Sequence, residues 1–142
     1  MKIYLASPFF NETEIKVYDK VIKKIRSEGH ELYVPREHEQ DGAWEMDNHT
    51  WGLKTFQNDV NAIHDCDEVW VINHGMYSDS GTAWECGFAY GIGKTVRMLL
   101  CNDCQEDGER VFSLMMINGC DEYDSIGNYL ANTEIPIDFE QK

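Results

Sequence analysis

The feature of this chain that most restricts its fold is a regular alternation of strand-like and helix-like segments along the sequence. Short runs of aliphatic, β-branched and aromatic residues are typical of buried strands, and apolar residues at every third or fourth position are typical of helices. The strand-like runs lie at residues 2–6, 31–34, 68–72 and 95–100. The helix-like stretches lie at residues 13–28, 52–65 and 80–92, and the predicted helix stops are Gly29, Gly91 and Gly93.

This order predicts parallel strands joined by helices, because a helix between two strands returns the chain to the same sheet through a right-handed crossover. We therefore expect an α/β fold, flavodoxin-like or Rossmann-like, with three α-β-α layers and a mostly parallel sheet of about five strands. The apolar segment 111–117 fits either a fifth strand or a short helix, and the polar segment 36–50 is predicted to be a loop. A single domain is expected over residues 1–142, a length that can bury one core.

A formal net charge of −14 separates this chain from proteins that bind nucleic acids. A surface this acidic repels phosphate backbones and anionic membranes, so we expect a small ligand, no nucleic acid and no membrane partner. No apolar run is long enough to span a bilayer, and the N-terminal apolar run is too short for a signal peptide. The five cysteines are expected to be reduced thiols, and the predicted location is the cytoplasm.

Acidic residues gather where such a sheet binds its ligands. Parallel sheets bind ligands beyond the carboxyl ends of their strands, which directs attention to residues 7–10 and 73–80. The helix that follows the second of these segments contains Glu85, flanked by apolar neighbours, and Asp59 lies on the helix that leads into the same strand. A structural alternative is a helix start, in which Thr82 and Glu85 form a capping box and Asp79 or Ser80 is the N-cap.

Carboxylates that meet in one cleft are the groups that retaining glycosyl transfer requires. One carboxylate attacks the anomeric carbon and forms a covalent glycosyl-enzyme. A second carboxyl group, whose pKa is raised by an apolar setting, protonates the leaving group. Asp59, Asp79 and Glu85 are therefore the candidate catalytic residues.

Three blocks of this sequence resemble the nucleoside 2-deoxyribosyltransferases: IYLASPFF at the first strand, QNDVNAI before the third strand, and DSGTAWECGFAYGIGKTV after it. The resemblance runs from Lys2 to about residue 119. It implies that Glu85 is the nucleophile, that Asp59 donates and accepts a proton at the base, and that Asp79 binds sugar hydroxyls. It also implies that Tyr4 orients the nucleophile, and it places Ser7, Phe9 and Phe10 in the substrate-binding block.

The resemblance further implies a homo-oligomer that is based on dimers and can be as large as a hexamer. In such an assembly a neighbouring subunit completes each site. The segment VFSLMMI resembles the part that reaches across, which would place Ser113 and Met115 at the neighbour's site. Two features depart from the better-known members, which have asparagine where this chain has Ser113 and end in tyrosine where it ends in Lys142. The implied partners are a deoxynucleoside and a free nucleobase.

Three functions stay open on the sequence alone. The chain could transfer deoxyribose between bases, hydrolyse deoxynucleosides or nucleoside 5′-monophosphates, or bind nucleosides without catalysis in a flavodoxin-like domain. The related hydrolases hold a phosphate with serine where this chain has Asp79, and a carboxylate there repels phosphate, which favours a nucleoside substrate. Phe9 and Phe10 would either stack on the base or pack between loop and core.

No cofactor and no metal are expected. No G-x-G-x-x-G fingerprint follows the first strand, and Gly93-Lys94-Thr95 lacks both the glycine and the strand-to-helix context of a P-loop. Cys101-x-x-Cys104 is an isolated CxxC motif, which supplies only two of the four ligands that a structural zinc site needs. The two cysteines are therefore interpreted as free thiols. Trp44 and Trp51 would either stack on a base or pack.

Overall fold

The computed structural model describes residues 1–38, 43–75, 78–101 and 112–131. Within these ranges the chain forms five strands: β1 (Lys2–Ala6), β2 (Glu31–Tyr33), β3 (Glu68–His74), β4 (Thr95–Cys101) and β5 (Glu122–Ser125). The helices are α1 (Glu12–Ser27), α2 (Asn48–Asp65), α3 (Ser80–Gly91), α4 (Leu114–Asn118) and α5 (Ile126–Leu130). Single 3-10 turns occupy Pro35–Glu37 and Ala43–Glu45.

The five strands form one sheet in the order β2-β1-β3-β4-β5, and every neighbouring pair is parallel. This is the flavodoxin-like order, so the predicted three-layer α/β fold is confirmed. The strand order reverses between β1 and β3, whose register pairs Ala6 with Val71. Loops that follow these two strands diverge to opposite sides and leave a crevice at the carboxyl edge of the sheet.

The two faces of the sheet bury separate apolar cores. Alternate strand residues point to opposite faces, so Ile3 and Leu5 pack with α1 and α5, whereas Tyr4 and Ala6 pack with α2, α3 and α4. Tyr4 is fully buried on this second face. Because Tyr4 lies on this face of β1, its hydroxyl is on the same side of the sheet as the helices that carry the candidate carboxylates.

Helix ends follow the local sequence signals. The side chains of Asn11, Asp47 and Asp79 cap α1, α2 and α3 by accepting hydrogen bonds from backbone N–H groups in the first turn. Past the C-termini of α1 and α3, Gly29 and Gly93 adopt φ values of 85° and 81°. This left-handed conformation favours glycine, which is why both helices end where the sequence predicts.

Two predicted segments differ from the structure. The helix expected from residue 52 begins at Asn48 instead, because Asp47 caps it by accepting a hydrogen bond from the Thr50 N–H at 2.7 Å. Of the two alternatives for residues 111–117, the short helix is confirmed, since Leu114–Asn118 is α4, and the fifth strand is Glu122–Ser125. Segment 36–50 is not wholly loop, because it overlaps both 3-10 turns and the start of α2. Residues 39–42 of this segment lie outside the described part, and so does Val111 of the segment 111–117.

Among the described helices, none is both long enough and apolar enough to cross a membrane. Cys66, Cys86 and Cys120 are free thiols, and Cys104 lies outside the described residues. The described part of the chain holds no cluster of three or more histidine, cysteine or acidic side chains that could bind a metal ion.

Candidate active site

A cavity of about 600 Å³ opens at the carboxyl edge of the sheet, between the loops after β1, β2 and β3 and the helices α2 and α3. Its polar lining consists of Ser7, Arg36, His38, Thr55, Asp59, Asp79, Thr82 and Glu85. Its aromatic lining consists of Phe9, Phe10, Trp51, Phe56 and Trp84. The structure thus brings the three predicted carboxylates to one cavity, with apolar walls around them.

Glu85 lies in the second turn of α3, and its Oε2 accepts a hydrogen bond from the buried Tyr4 hydroxyl. The pKa of Glu85 is raised to about 7, chiefly by burial and to a smaller extent by the charges of Asp59 and Asp79, while the Tyr4 hydrogen bond acts in the opposite direction. Asp79 is the N-cap of this helix, so Glu85 is not used in the capping box that Thr82 and Glu85 would otherwise form. The carboxylate is left facing the cavity.

Tyr4 is held in a state suited to donating. Burial, followed by the charge of Glu85, raises the pKa of Tyr4 well above its usual range, so the phenol keeps its proton. A neutral hydroxyl bonded to Glu85 stabilises the ionised carboxylate, which is the form that attacks an electrophile. The pair therefore combines a desolvated carboxylate with one fixed donor.

Asp59 projects from α2 into the same cavity. Burial raises the pKa of this carboxyl group to about 6, and His38 partly opposes the rise. A carboxyl group with a pKa in this range carries a proton in a useful fraction of molecules near neutral pH. Asp59 is thus able to give a proton to a group bound in the cavity and to take one back.

Asp79 uses one carboxylate oxygen to start α3. Its Oδ2 accepts hydrogen bonds from the Thr82 N–H at 2.9 Å and from the Thr82 hydroxyl at 3.1 Å. Among the described residues no donor reaches Oδ1, and Asp79 lines the cavity, where a ligand hydroxyl could donate to that oxygen. A side chain at Gly81 would crowd this carboxylate, because a Cβ there would lie 3.2 Å from Oδ2.

The predicted aromatic residues divide between packing and exposure. Phe9 packs against the core and stacks on Tyr18, with ring centroids 5.5 Å apart. Phe10 is 71% exposed and stacks on Phe9, with ring centroids 5.3 Å apart. Trp51 lines the cavity, and Trp44, 93% exposed, does not. The cavity thus offers aromatic surface on which a planar base could stack.

The remaining predicted site residues have different positions. Ser7 lines the cavity, and its hydroxyl donates to the Pro8 carbonyl at 3.0 Å. Ser113 is the N-cap residue of α4, and Met115 on that helix is 84% exposed; neither lines the cavity of its own chain. Their contribution to a neighbouring subunit's site stays a prediction.

Arg36 and His38 are among the polar residues of the cavity that were not predicted from the sequence. Both follow β2, and the rule that directs attention to the carboxyl ends of strands applies to β2 as well. That signal was hidden because β2 is short and the segment after it has the composition of a solvated loop.

The sequence matches the family model described as nucleoside 2-deoxyribosyltransferase over residues 3–115. The structure is similar to a 2-deoxyribosyltransferase from the psychrotolerant bacterium Bacillus psychrosaccharolyticus, with 33% identity, a TM-score of 0.76 and coverage of 92% of this chain and 91% of that chain. No curated protein sequence matches the chain.

Two solved structures under 25% identical share the fold. A conserved protein from Enterococcus faecalis V583 has 21% identity and a TM-score of 0.72, and covers 92% of this chain and 94% of its own. The CMP N-glycosidase of Clostridium botulinum has 20% identity and a TM-score of 0.61, and covers 92% of this chain and 96% of its own. Both extend the likeness to nearly the whole length of each chain.

Proposed function

Since this chain belongs to the nucleoside 2-deoxyribosyltransferase family, we propose that it transfers 2-deoxyribose from one nucleobase to another through a glycosyl ester on Glu85. The observation that carries the proposal is the position of Glu85, which accepts a hydrogen bond from Tyr4 and faces the cavity that Asp59 also lines. A buried nucleophile with a fixed donor, opposite a carboxyl group that can carry a proton, fits a retaining double displacement.

In the first step the Glu85 carboxylate attacks C1′ of the sugar, and the bond between C1′ and the base nitrogen breaks. The electron pair of that bond goes to the base, and Asp59 supplies the proton that neutralises it. The products are a free base and an ester between C1′ and Glu85. Asp59 is left ionised and ready to act as a base.

In the second step a nitrogen of an incoming base attacks C1′ from the side that the first base left. The Glu85 ester bond breaks and its electron pair returns to the carboxylate, while Asp59 takes the proton from the incoming nitrogen. Two inversions at C1′ give net retention. Asp79 accepts hydrogen bonds from sugar hydroxyls through its second carboxylate oxygen, which holds C1′ against Glu85.

The outcome depends on what attacks the glycosyl ester. If water attacks, the protein is an N-glycosidase with the same first step, and if the bond between C1′ and the base is never broken, it is a nucleoside-binding domain. Incubation with deoxyinosine, with and without adenine, followed by chromatography, separates these functions. Deoxyadenosine formation supports transfer, release of free deoxyribose alone indicates hydrolysis, and unchanged deoxyinosine, together with unchanged 5′-monophosphates, indicates binding without catalysis.

A nucleoside substrate is favoured over a nucleoside 5′-monophosphate by the carboxylate of Asp79, which would repel a phosphate. We expect Asp79→Ser to lower kcat/KM for deoxynucleosides about tenfold and to raise the preference for the monophosphate about tenfold, because a charged hydrogen-bond acceptor is lost and a repulsive charge is removed. Steady-state kinetics on a matched nucleoside and monophosphate measure both changes.

Asp79→Asn is the control for this prediction. Serine and asparagine both cap helices well, so α3 should begin at the same residue in both variants. Asparagine also removes the negative charge, so it should shift the substrate preference in the same direction. An unchanged preference in both variants would show that Asp79 does not discriminate against phosphate.

The pKa values of about 7 for Glu85 and about 6 for Asp59 predict a narrow, bell-shaped pH profile of kcat/KM with its maximum between those two values. On the acid limb both carboxyl groups become protonated, and the nucleophile Glu85 is neutral. Above the upper limb both are ionised and no proton is available for the base. Along the acid limb and along the basic limb, kcat/KM should fall about tenfold per pH unit away from the maximum. A flat profile between pH 5 and 8 would contradict the assignment.

The exposed apolar side chains on α2, α3 and α4 support a homo-oligomer. Phe56 and Trp84 are each about half exposed, and Leu114 is 63% exposed beside Met115. Apolar surface of this kind is typical of protein interfaces. We propose that a second copy covers this apolar surface and that Ser113 and Met115 then reach the neighbour's cavity. We further propose that the protein is a cytoplasmic enzyme that recycles nucleosides.

A further inference from the structure

Three aromatic rings form a continuous stack beside the nucleophile. Tyr4 on β1 and Tyr33 on β2 are register partners, and their rings stack with centroids 5.5 Å apart and planes 11° apart. The His38 ring lies on Tyr33, with a centroid distance of 4.1 Å and an angle of 6°. We call Tyr4, Tyr33 and His38 the ring stack.

The two ends of the ring stack interact with the two carboxyl groups of the proposed reaction, Glu85 and Asp59. At one end the Tyr4 hydroxyl donates to Glu85. At the other end His38 lines the cavity, and its charge acts on Asp59. Tyr33 stands between them, and the charges of Asp59 and Glu85 both act on its hydroxyl.

Tyr33 packs against the apolar core that contains Tyr4. It is only partly buried, and a second cavity, of about 670 Å³, runs along Tyr33 and His38. Burial raises the pKa of Tyr33, so the ring carries no charge near neutral pH. Offset stacking between neutral rings is directional and fixes their relative planes.

We propose that Tyr33 is a positioning residue, which through its stacking on Tyr4 keeps the Tyr4 hydroxyl on Glu85 and holds His38 at the base side of the cavity. The contacts that carry this proposal are the cross-strand pair of Tyr4 and Tyr33 and the close stacking of His38. Its consequence for turnover rests on the function proposed above, whereas its consequence for the Glu85 carboxyl group does not.

The test compares Tyr33→Leu, which removes the ring, with Tyr33→Phe, which retains it. The first readout is the titration midpoint of Glu85, followed by NMR in protein labelled with ¹³C at the glutamate carboxyl groups and assigned with Glu85→Gln. The second readout is the separation of kcat from KM in base exchange. Thermal unfolding of each variant shows whether the fold is retained.

We expect Tyr33→Leu to raise the Glu85 midpoint by about half a pH unit, because the Tyr4 hydrogen bond lowers the pKa of Glu85 and is loosened when its support is lost. The same variant should lower kcat about 10- to 100-fold with little change in KM, as a small misplacement of reacting groups does. Tyr33→Phe should restore both values to near those of the unmodified protein.

A double-mutant cycle with Tyr4→Phe shows whether Tyr33 acts through Tyr4. Tyr4→Phe alone should raise the Glu85 midpoint, and adding Tyr33→Leu should raise it little more, because the hydrogen bond is already absent. The proposal is wrong if Tyr33→Leu leaves the midpoint unchanged, or if it moves the midpoint equally in both backgrounds. A protein that shows these shifts but exchanges no bases would overturn the proposed function and leave the positioning role intact.

Discussion

Replacing Glu85 with alanine is expected to lower the rate of base exchange about 10³-fold or more, because losing a covalent nucleophile removes the reaction path rather than a single contact. The residue lies at the centre of the site, where Tyr4 donates to it and the cavity exposes it to substrate. The measurement is the single-turnover release of base from a deoxynucleoside, which reports the first step without the second.

Two variants serve as controls for this prediction. Glu85→Gln retains the shape of the side chain and an oxygen that can accept from Tyr4, so a similar loss of rate in a folded protein would assign the effect to the missing carboxylate. Glu122→Ala removes an exposed glutamate on the distant strand β5 and should retain the full rate. Base release by Glu85→Ala at the rate of the unmodified protein would exclude Glu85 as the nucleophile.

Replacing Asp59 with asparagine is expected to lower the rate with ordinary deoxynucleosides about 10²- to 10⁴-fold, the usual contribution of a positioned proton donor. The loss should be small with a deoxyriboside of 7-methylguanine, since its base already carries a positive charge and leaves without a proton. The comparison of the two substrates therefore isolates the proton transfer. The measurement is again the single-turnover release of base.

Asp65→Asn is the matched control, because Asp65 lies on the same helix as Asp59 but is exposed and pairs with Lys2 at 2.9 Å. It should release both bases at unchanged rates, since exposed ion pairs contribute little to stability. If Asp59→Asn lost as much rate with the 7-methylguanine substrate as with the ordinary one, Asp59 would be a structural residue rather than the proton donor.

The fold was predictable where strands are buried on both faces. β1 and β3 are apolar over most of their length, so their positions can be recognised from residue type alone. β5 could not be found in this way, because it is an edge strand whose residues Glu122 to Ser125 are polar and mostly exposed. The start of α2 was missed because an aspartate cap, rather than apolar periodicity, determines it.

The candidate site was predictable to the extent that its residues lie close to the ends of strands in the sequence. Asp79 lies in the segment between β3 and α3, and Glu85 lies six residues after it, within α3. The ring stack was not predictable, because the contact of Tyr4 with Tyr33 depends on the parallel pairing of β1 with β2. Residue type does not determine which strands are neighbours or how they are registered.

The most direct test of the central claim is peptide-mapping mass spectrometry of the protein incubated with a deoxynucleoside whose sugar carries fluorine at C2′, which slows the breakdown of a glycosyl-enzyme. If Glu85 is the nucleophile, one sugar will be found on the peptide that contains Glu85, and adding a free base will release it as a new nucleoside. A sugar attached instead to Asp59 or Asp79, or steady base exchange with no trapped sugar, would contradict the account.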